Sequence, residues 1–423
     1  MKNYLDEAVE SISESVRFDS SLAKRTTKMP FGEGAFLCLQ HFLNLAQSLG
    51  FQTNNYDNYI GEVVYGDGEE EFAILCHLDV VPAGNGWTKD PFGGTVEDGK
   101  IWGRGTVDDK GPAICSLYAL KALKDEGFVP TKKIKLIVGC NEESGWGCIE
   151  HYNEVAHMPE TGFSPDADFP VIYAEKGILQ VRLHFPIENA PFLFLEGGTG
   201  NNMVCDRCEA TPRSLSVRHA KKLGLEVAAK KVIAHGKSAH GSTPEQGKNA
   251  ILPILEYFRE KNEVVRRVIE CLFDDCYGLK KLKDETGNLT MSPNVIKYRK
   301  GQLLVVVDIR YPATMSAESV YQLVNKFGVV YETIHHQKPI YNDRKGKLIT
   351  TLLSVYEDVT GEKAEPIAIG GGTYARALKC GVGFGPEMKG DESVIHQPDE
   401  YITIERVELL IKMYKEAIER LTK

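Results

Sequence analysis

The chain opens with a helical rhythm. Residues 1–50 place apolar side chains at three- and four-residue spacing with a break at Pro30-Phe31-Gly32, and the second half, GAFLCLQHFLNLAQSLG, closes at Gly50. The rhythm then changes to runs. YIGEVVYGDGEEEFAILCHLDVVP holds two apolar stretches around a Gly/Asp turn, which predicts a strand pair. Its second stretch is continuous rather than alternating, the pattern of a strand buried on both faces. Beyond a loop rich in Gly and Pro, CSLYALKALKDEGF predicts an amphipathic helix and KKIKLIVGCNEE a further buried strand. Strand, helix and strand in that order predict a parallel α/β sheet.

From Gly177 to about Asp343 the pattern is mixed. GILQVRLHFP, LEVAAKKVIAHGKS and GQLLVVVDIRYP read as strands, and residues 247–272 and 316–327 as helices, so an inserted α+β domain is expected here. From Arg344 the first pattern resumes with a helix (LITTLLSVYEDVTG), a Gly-rich turn, a short strand and a closing helix, ERVELLIKMYKEAIERLTK. The predicted division is 1–176 with 344–423 as one domain and 177–343 as the other.

Composition excludes more than it selects. The 423 residues allow two or three domains, and 42% apolar with 26% charged positions exclude disordered, collagen-like and disulfide-scaffold classes. Fifty Lys plus Arg against 59 Asp plus Glu leave a net charge of −9, the wrong sign for a chain that lives on phosphate backbones. No nucleic-acid partner is expected. The opening MKNYLDEAVESISESV has early acids and no apolar core of signal-peptide type, and no run of ~18 apolar residues follows, so the expectation is a soluble cytoplasmic enzyme with no membrane partner. Ten cysteines are scattered, several inside apolar runs, and give no disulfide framework. Cys205 and Cys208 form a C-x-x-C, but a structural zinc site needs a second pair or nearby histidines.

Four clusters carry chemistry. In HLDVVP, His77 and Asp79 lie two apart at a predicted strand end, so both side chains leave on one face, although a merely polar strand end would look the same. GRGTVDDKGP sets Asp108 and Asp109 in a loop before the amphipathic helix, where adjacent acids are ordinarily solvated. NEESGWG places Glu142 and Glu143 at the end of a buried strand, a pairing suited to one metal ligand and one proton carrier. SPDADFP adds Asp166 and IHQPDE adds His396. Strand ends of an open α/β sheet are where such folds place their sites, and four clusters falling there together outweigh the bland reading of each.

These motifs, together with GKSAHGSTPEQGKNA and GGGTYAR, occur in an order that resembles the dinuclear metallopeptidase family of aminoacylase, carboxypeptidase G, carnosinase and succinyl-diaminopimelate desuccinylase. The NMV, RYP and GGGTYAR segments resemble its PepV-type dipeptidase branch, and the resemblance spans about residues 5–415. It implies an α/β catalytic domain with a central, mostly parallel sheet flanked by helices, plus an inserted α+β lid. It implies two divalent ions, with zinc first and manganese or cobalt as alternatives. Asp108 would bridge them, His77 and Asp166 would complete one, and Glu143 and His396 the other. Glu142 would be the general base toward a metal-bridged water, Asp79 would hold His77, and the peptide between Asp108 and Asp109 would be cis. From the lid, His240 would donate to the oxyanion. Asn202 and Arg310, with backbone N–H groups around Gly370, Gly371, Gly372 and Thr373, would take a substrate carboxylate.

The expected activity is therefore a metallodipeptidase acting on short peptides with a free C-terminal carboxylate, as a monomer whose lid reaches its own site. The chain is shorter than typical PepV-type enzymes, with the deficit in the lid. An N-acyl amino-acid deacylase or desuccinylase with the same centre is the alternative, and an inactive metal-binding relative a more distant one. His41, His151, His157, His184, His219, His235, His335 and His336 match no ligand motif and are expected to be surface or packing residues.

Overall fold

The computed structural model describes residues 4–423. The chain divides into two compact units: one runs through Tyr173 and takes in Asn342–Ile367 and Thr373–Lys423, and the other comprises Ala174–Tyr341 with Ala368–Gly372. The sequence pattern predicts boundaries at 176/177 and 343/344. The additional segment Ala368–Gly372 joins the second unit through tertiary contacts that no local pattern announces.

In the first unit, strands Lys133–Gly139, Glu71–His77, Thr161–Ser164 and Cys380–Gly383 lie side by side and parallel. Antiparallel pairings flank them, with Ile60–Tyr65 and Gln52–Tyr56 on one side and the start of Ile172–Glu175 on the other. This is the expected α/β class. Glu71–His77 is buried along almost its whole length, which is why its sequence reads as a run rather than an alternation. Helices Leu5–Val16, Lys110–Asp125 and Ile404–Thr422 pack on one another, while Leu39 and Leu43 of helix Glu33–Ser48 close over Gly61 of the sheet.

The N-terminal helical region is interrupted for longer than the expected break at Pro30-Phe31-Gly32. Helix stops at Val16 and restarts at Glu33. The intervening FDSSLAKRTTKMP lacks helical apolar spacing, and its polar groups are bonded elsewhere: Ser20 Oγ donates to the Leu78 carbonyl at 2.6 Å, and Lys110 Nζ to that of Phe18 at 2.7 Å. The expectation for residues 1–3 lies outside the described residues.

The second unit is built on an eight-stranded antiparallel sheet in the order Glu226–Ala228, Lys231–His235, Arg207–Pro212, Phe192–Gly197, Thr290–Arg299, Gln302–Tyr311, Gly177–Pro186 and Val330–Gln337. Alternation decides its two faces. Leu303, Val305, Val307 and Ile309, with Leu179, Val181 and Leu183, enter the apolar core beneath the helices. The positions between them, Asp308, Arg310 and Gln180, point the other way. The helix expected over 247–272 is two, Ile251–Phe258 and Glu263–Leu272, because the Asn262 side chain accepts from the N–H groups of Val264 and Val265 and starts a new helix. Among the described residues no helix is long and apolar enough to cross a membrane.

Candidate active site

Three adjacent parallel strands deliver acidic and imidazole groups from their carboxyl ends. His77 ends Glu71–His77, Lys133–Gly139 leads into Glu142 and Glu143, and Thr161–Ser164 leads into Asp166. Asp108 comes from the loop before helix Lys110–Asp125, and its peptide bond to Asp109 is cis. His396 comes from a loop where it holds φ at 61°, a left-handed conformation uncommon for a side-chain-bearing residue. Five of these six, His77, Asp108, Glu143, Asp166 and His396, meet at one point. Asp108 Oδ1 lies 2.9 Å from His77 Nε2, and Asp108 Oδ2 lies 2.9 Å from His396 Nε2. Asp166 Oδ2 is 3.6 Å from the first imidazole nitrogen, and Glu143 Oε1 is 3.0 Å from the second. The two oxygens of one carboxylate thus face two separate donor sets.

The donor atoms suit divalent cations. His77 Nδ1 sits 2.9 Å from the backbone carbonyl of Asp79, so the ring proton belongs there and Nε2 turns its lone pair toward the carboxylates. That Nε2 is buried and makes no hydrogen bond of good geometry despite its near neighbours. Burial alone would lower the His77 imidazole, yet Asp108 and Asp166 raise it well above its ordinary value. His396 behaves alike: against burial, Asp108 and Glu143 raise it to about 11. Burial and the charge on Asp108 lift Glu143 to about 7, and burial above all lifts Glu142 well above the carboxylate range. Among the described residues no lysine or arginine pairs with Asp79, Asp108, Asp166, Glu142 or Glu143, so the carboxylates are crowded together with only the two imidazoles beside them, a mixed nitrogen and oxygen donor set of the kind divalent cations take.

Two further contacts differ from the sequence reading or extend it. The Asp79 carboxylate does not hold His77, since its nearer oxygen is 3.6 Å from Nδ1. It accepts instead the backbone N–H groups of Glu142 at 2.9 Å and Glu143 at 3.1 Å, fixing the turn that carries both glutamates. The imidazole is held by the Asp79 main chain, because the backbone carbonyl lies nearer the ring of residue i−2 than the side chain does. Glu400 is fully buried, and its Oε1 accepts the N–H groups of Gly105 and Val107, both at 3.0 Å, while Oε2 pairs with Arg104 at 2.6 Å. It ties the loop of Asp108 to the segment of His396.

The second unit gathers its own predicted residues. Met203 and His240 form an isolated antiparallel bridge, and Gly241 N–H donates to the Asn202 carbonyl at 2.7 Å. Arg310 Nη1 donates to the Gly370 carbonyl at 3.2 Å. Asn202, His240, Arg310 and Gly370 therefore converge from four separate segments of the unit. Asn202 and His240 are exposed and Arg310 is buried. Gly371 and Gly372 follow in the same segment, whereas Thr373 belongs to the first unit, where its Oγ1 accepts from Ala375 N–H.

A family model for peptidase family M20/M25/M40 matches residues 73–420, most of the chain and every residue of the carboxylate–imidazole cluster. The chain belongs to this family. It is a peptide-bond hydrolase. The peptidase is 36% identical to YtjP of Bacillus subtilis (strain 168) over 99% of its own length and 98% of that protein. It is 33% identical to the Beta-Ala-Xaa dipeptidase of Lactobacillus delbrueckii subsp. lactis, with 99% and 96% covered. Among solved structures it resembles the dipeptidase Dug1p of Saccharomyces cerevisiae at a TM-score of 0.62 and 13% identity, with 99% of this chain and 96% of that chain covered, a likeness of fold.

Other motifs of the peptidase stay outside the cluster. Cys205 and Cys208 are buried and free, and among the described residues no group of metal-ligand type forms around them. The remaining histidines make local contacts, such as His151 with Asp57 and His157 with Glu71, both away from the cluster. Sequence reasoning missed Trp146, whose indole N–H donates to Glu142 Oε1 at 3.2 Å, together with Glu400 and Asp308. Only Asp308 had a legible signal, being two residues before Arg310 on a strand and so on the same face.

Proposed function

We propose that this peptidase is a metal-dependent dipeptidase acting on short peptides with a free C-terminal carboxylate. The observation that carries the reading is the split of Asp108, one oxygen to His77 and the other to His396, each imidazole with a further carboxylate beside it. His77, Asp108 and Asp166 would hold one divalent cation, and Asp108, Glu143 and His396 a second, with zinc first and manganese or cobalt fitting the same mixed nitrogen and oxygen donors. Bound there, such cations supply Lewis acidity, polarising a carbonyl and easing deprotonation of water near neutral pH.

The chain's own residues do the rest. Glu142 takes the proton of the attacking water and returns it to the leaving amine. Asp79 holds the turn bearing Glu142 and Glu143 through two backbone N–H groups, so base and ligand keep a constant offset. His240 donates to the developing oxyanion, a contribution of ~10²–10³ in rate for one such donor. Arg310, with Asn202 and N–H groups at Gly371 and Gly372, takes the substrate's carboxylate, for which a planar guanidinium is well matched. Thr373 serves that segment as a helix cap.

The relatives named as dipeptidases support this substrate class over acylated amino acids. The test is a panel of unblocked dipeptides, including β-alanyl ones, beside N-acetyl and N-succinyl amino acids, assayed after metal analysis and with each ion added back. Turnover of the acylated compounds alone would replace the dipeptidase reading with a deacylase one.

A further inference from the structure

Asp308 lies where the substrate groups of the second unit meet. It is fully buried on strand Gln302–Tyr311, on the face opposite the apolar core, and its register partners are Gln180 and Ser292 on the two neighbouring strands. Its Oδ1 accepts from Arg310 Nε at 2.6 Å, and its Oδ2 accepts from Arg310 Nη2 at 3.1 Å and Gln180 Nε2 at 2.8 Å. The loop bearing His240 closes directly on it. A Cβ added at Gly241 would stand 3.1 Å from Asp308 Cγ and 3.0 Å from the Asn202 carbonyl oxygen, tighter than an ordinary Cβ contact, so the absence of a side chain there eases this close approach.

A guanidinium has five N–H donors in a fixed plane. In Arg310 two are held by Asp308 and one by the Gly370 carbonyl, leaving one on each terminal nitrogen. We propose that Asp308 is the positioning residue for carboxylate recognition: by occupying the Nε/Nη2 edge and being anchored itself by Gln180, it fixes the plane of Arg310 so that only the Nη1/Nη2 end meets a substrate carboxylate. This rests on the reading that Arg310 takes that carboxylate. The Asp308 charge has a second consequence. It offsets Arg310, so discrimination between a free acid and its amide comes from aimed hydrogen bonds rather than from a net positive field.

The test compares kcat/KM for alanyl-alanine and its C-terminal amide in wild-type and Asp308→Asn full-length enzyme. Expected is a KM for the free acid raised about 10- to 100-fold with kcat nearly unchanged and the amide almost unaffected, so the acid-to-amide preference collapses. A loss shared equally by both substrates would make Asp308 merely structural, and tighter binding of the acid would make it an electrostatic brake; either result overturns the proposal. Absence of any acid-to-amide preference in the wild type would instead remove Arg310 from carboxylate binding. If Asp308→Asn does not fold, Arg310→Ala and the double variant Asp308→Ala/Arg310→Ala decide. Equal rates for these two on both substrates support the proposal, and a further fall in the double variant overturns it.

Discussion

Trp146 donates its indole N–H to Oε1 of Glu142 at 3.2 Å. Trp146 holds φ at 64°, and its ring stands edge-on to that of Tyr374, which in turn stands edge-on to His77. The indole therefore engages one carboxylate oxygen and leaves Oε2 for the proton transfer proposed for Glu142. Trp146→Phe should lower kcat about tenfold while leaving KM and metal content unchanged. Glu142→Gln should lose ~10²–10⁴ in kcat with metal content intact, since it removes the proton acceptor and no ligand. Near-normal turnover in Glu142→Gln would dismiss it as the base.

The split of Asp108 predicts a pattern in metal stoichiometry. Asp108→Ala should cost both cations, because its two oxygens serve both donor sets. Asp166→Ala should weaken the site of His77, and Glu143→Ala that of His396. Metal analysis after dialysis at controlled free metal reads this directly. Full occupancy in Asp108→Ala would remove it from the bridge.

Glu400 predicts a stability effect coupled to metal affinity. Glu400→Gln keeps the shape but weakens the pairing with buried Arg104 and the hold on the loop of Asp108. Metal affinity, measured by competition with a chelating dye, should fall about 10- to 100-fold. The unfolding temperature should fall as well, because Arg104 is left without its charge partner. Unchanged affinity would show that Gly105 and Val107 hold their loop unaided.

On the segment that leads to His396, Asp391 gives a pH prediction. Burial would raise its carboxyl, but Arg406 and the Met388 N–H hold it below its ordinary value. A folded value below the unfolded one means stability present above the unfolded value, about 4, and lost as pH falls through the folded value. Asp391→Asn should therefore lower the unfolding temperature at neutral pH, and the gap from wild type should close in acid. A gap independent of pH would assign the effect to packing.

Assembly is tested by complementation. If each chain uses its own His240, mixing Glu142→Gln and His240→Ala chains should recover no activity. Recovery toward a quarter of the wild-type rate would show that the histidine is shared between chains.

Sequence alone determined most of the elements and named candidate residues for the site. The continuous run of Glu71–His77 reads as a buried parallel strand because both of its faces are covered, and the acids after the strand ends stand out because carboxylates rarely follow such runs without a task. Alternation on Gln302–Tyr311 separates Asp308 and Arg310 from the core for the same local reason. What it could not determine was pairing across distance. Which oxygen of Asp108 faces which histidine, that Asp79 braces the glutamate turn rather than the imidazole, and that Glu400 clamps a loop some three hundred residues earlier are set by where separate segments come to rest. The long interruption between Val16 and Glu33 and the attachment of Ala368–Gly372 to the second unit have the same origin. Periodicity reports which face a residue takes on its own element, and only tertiary packing decides what that face meets.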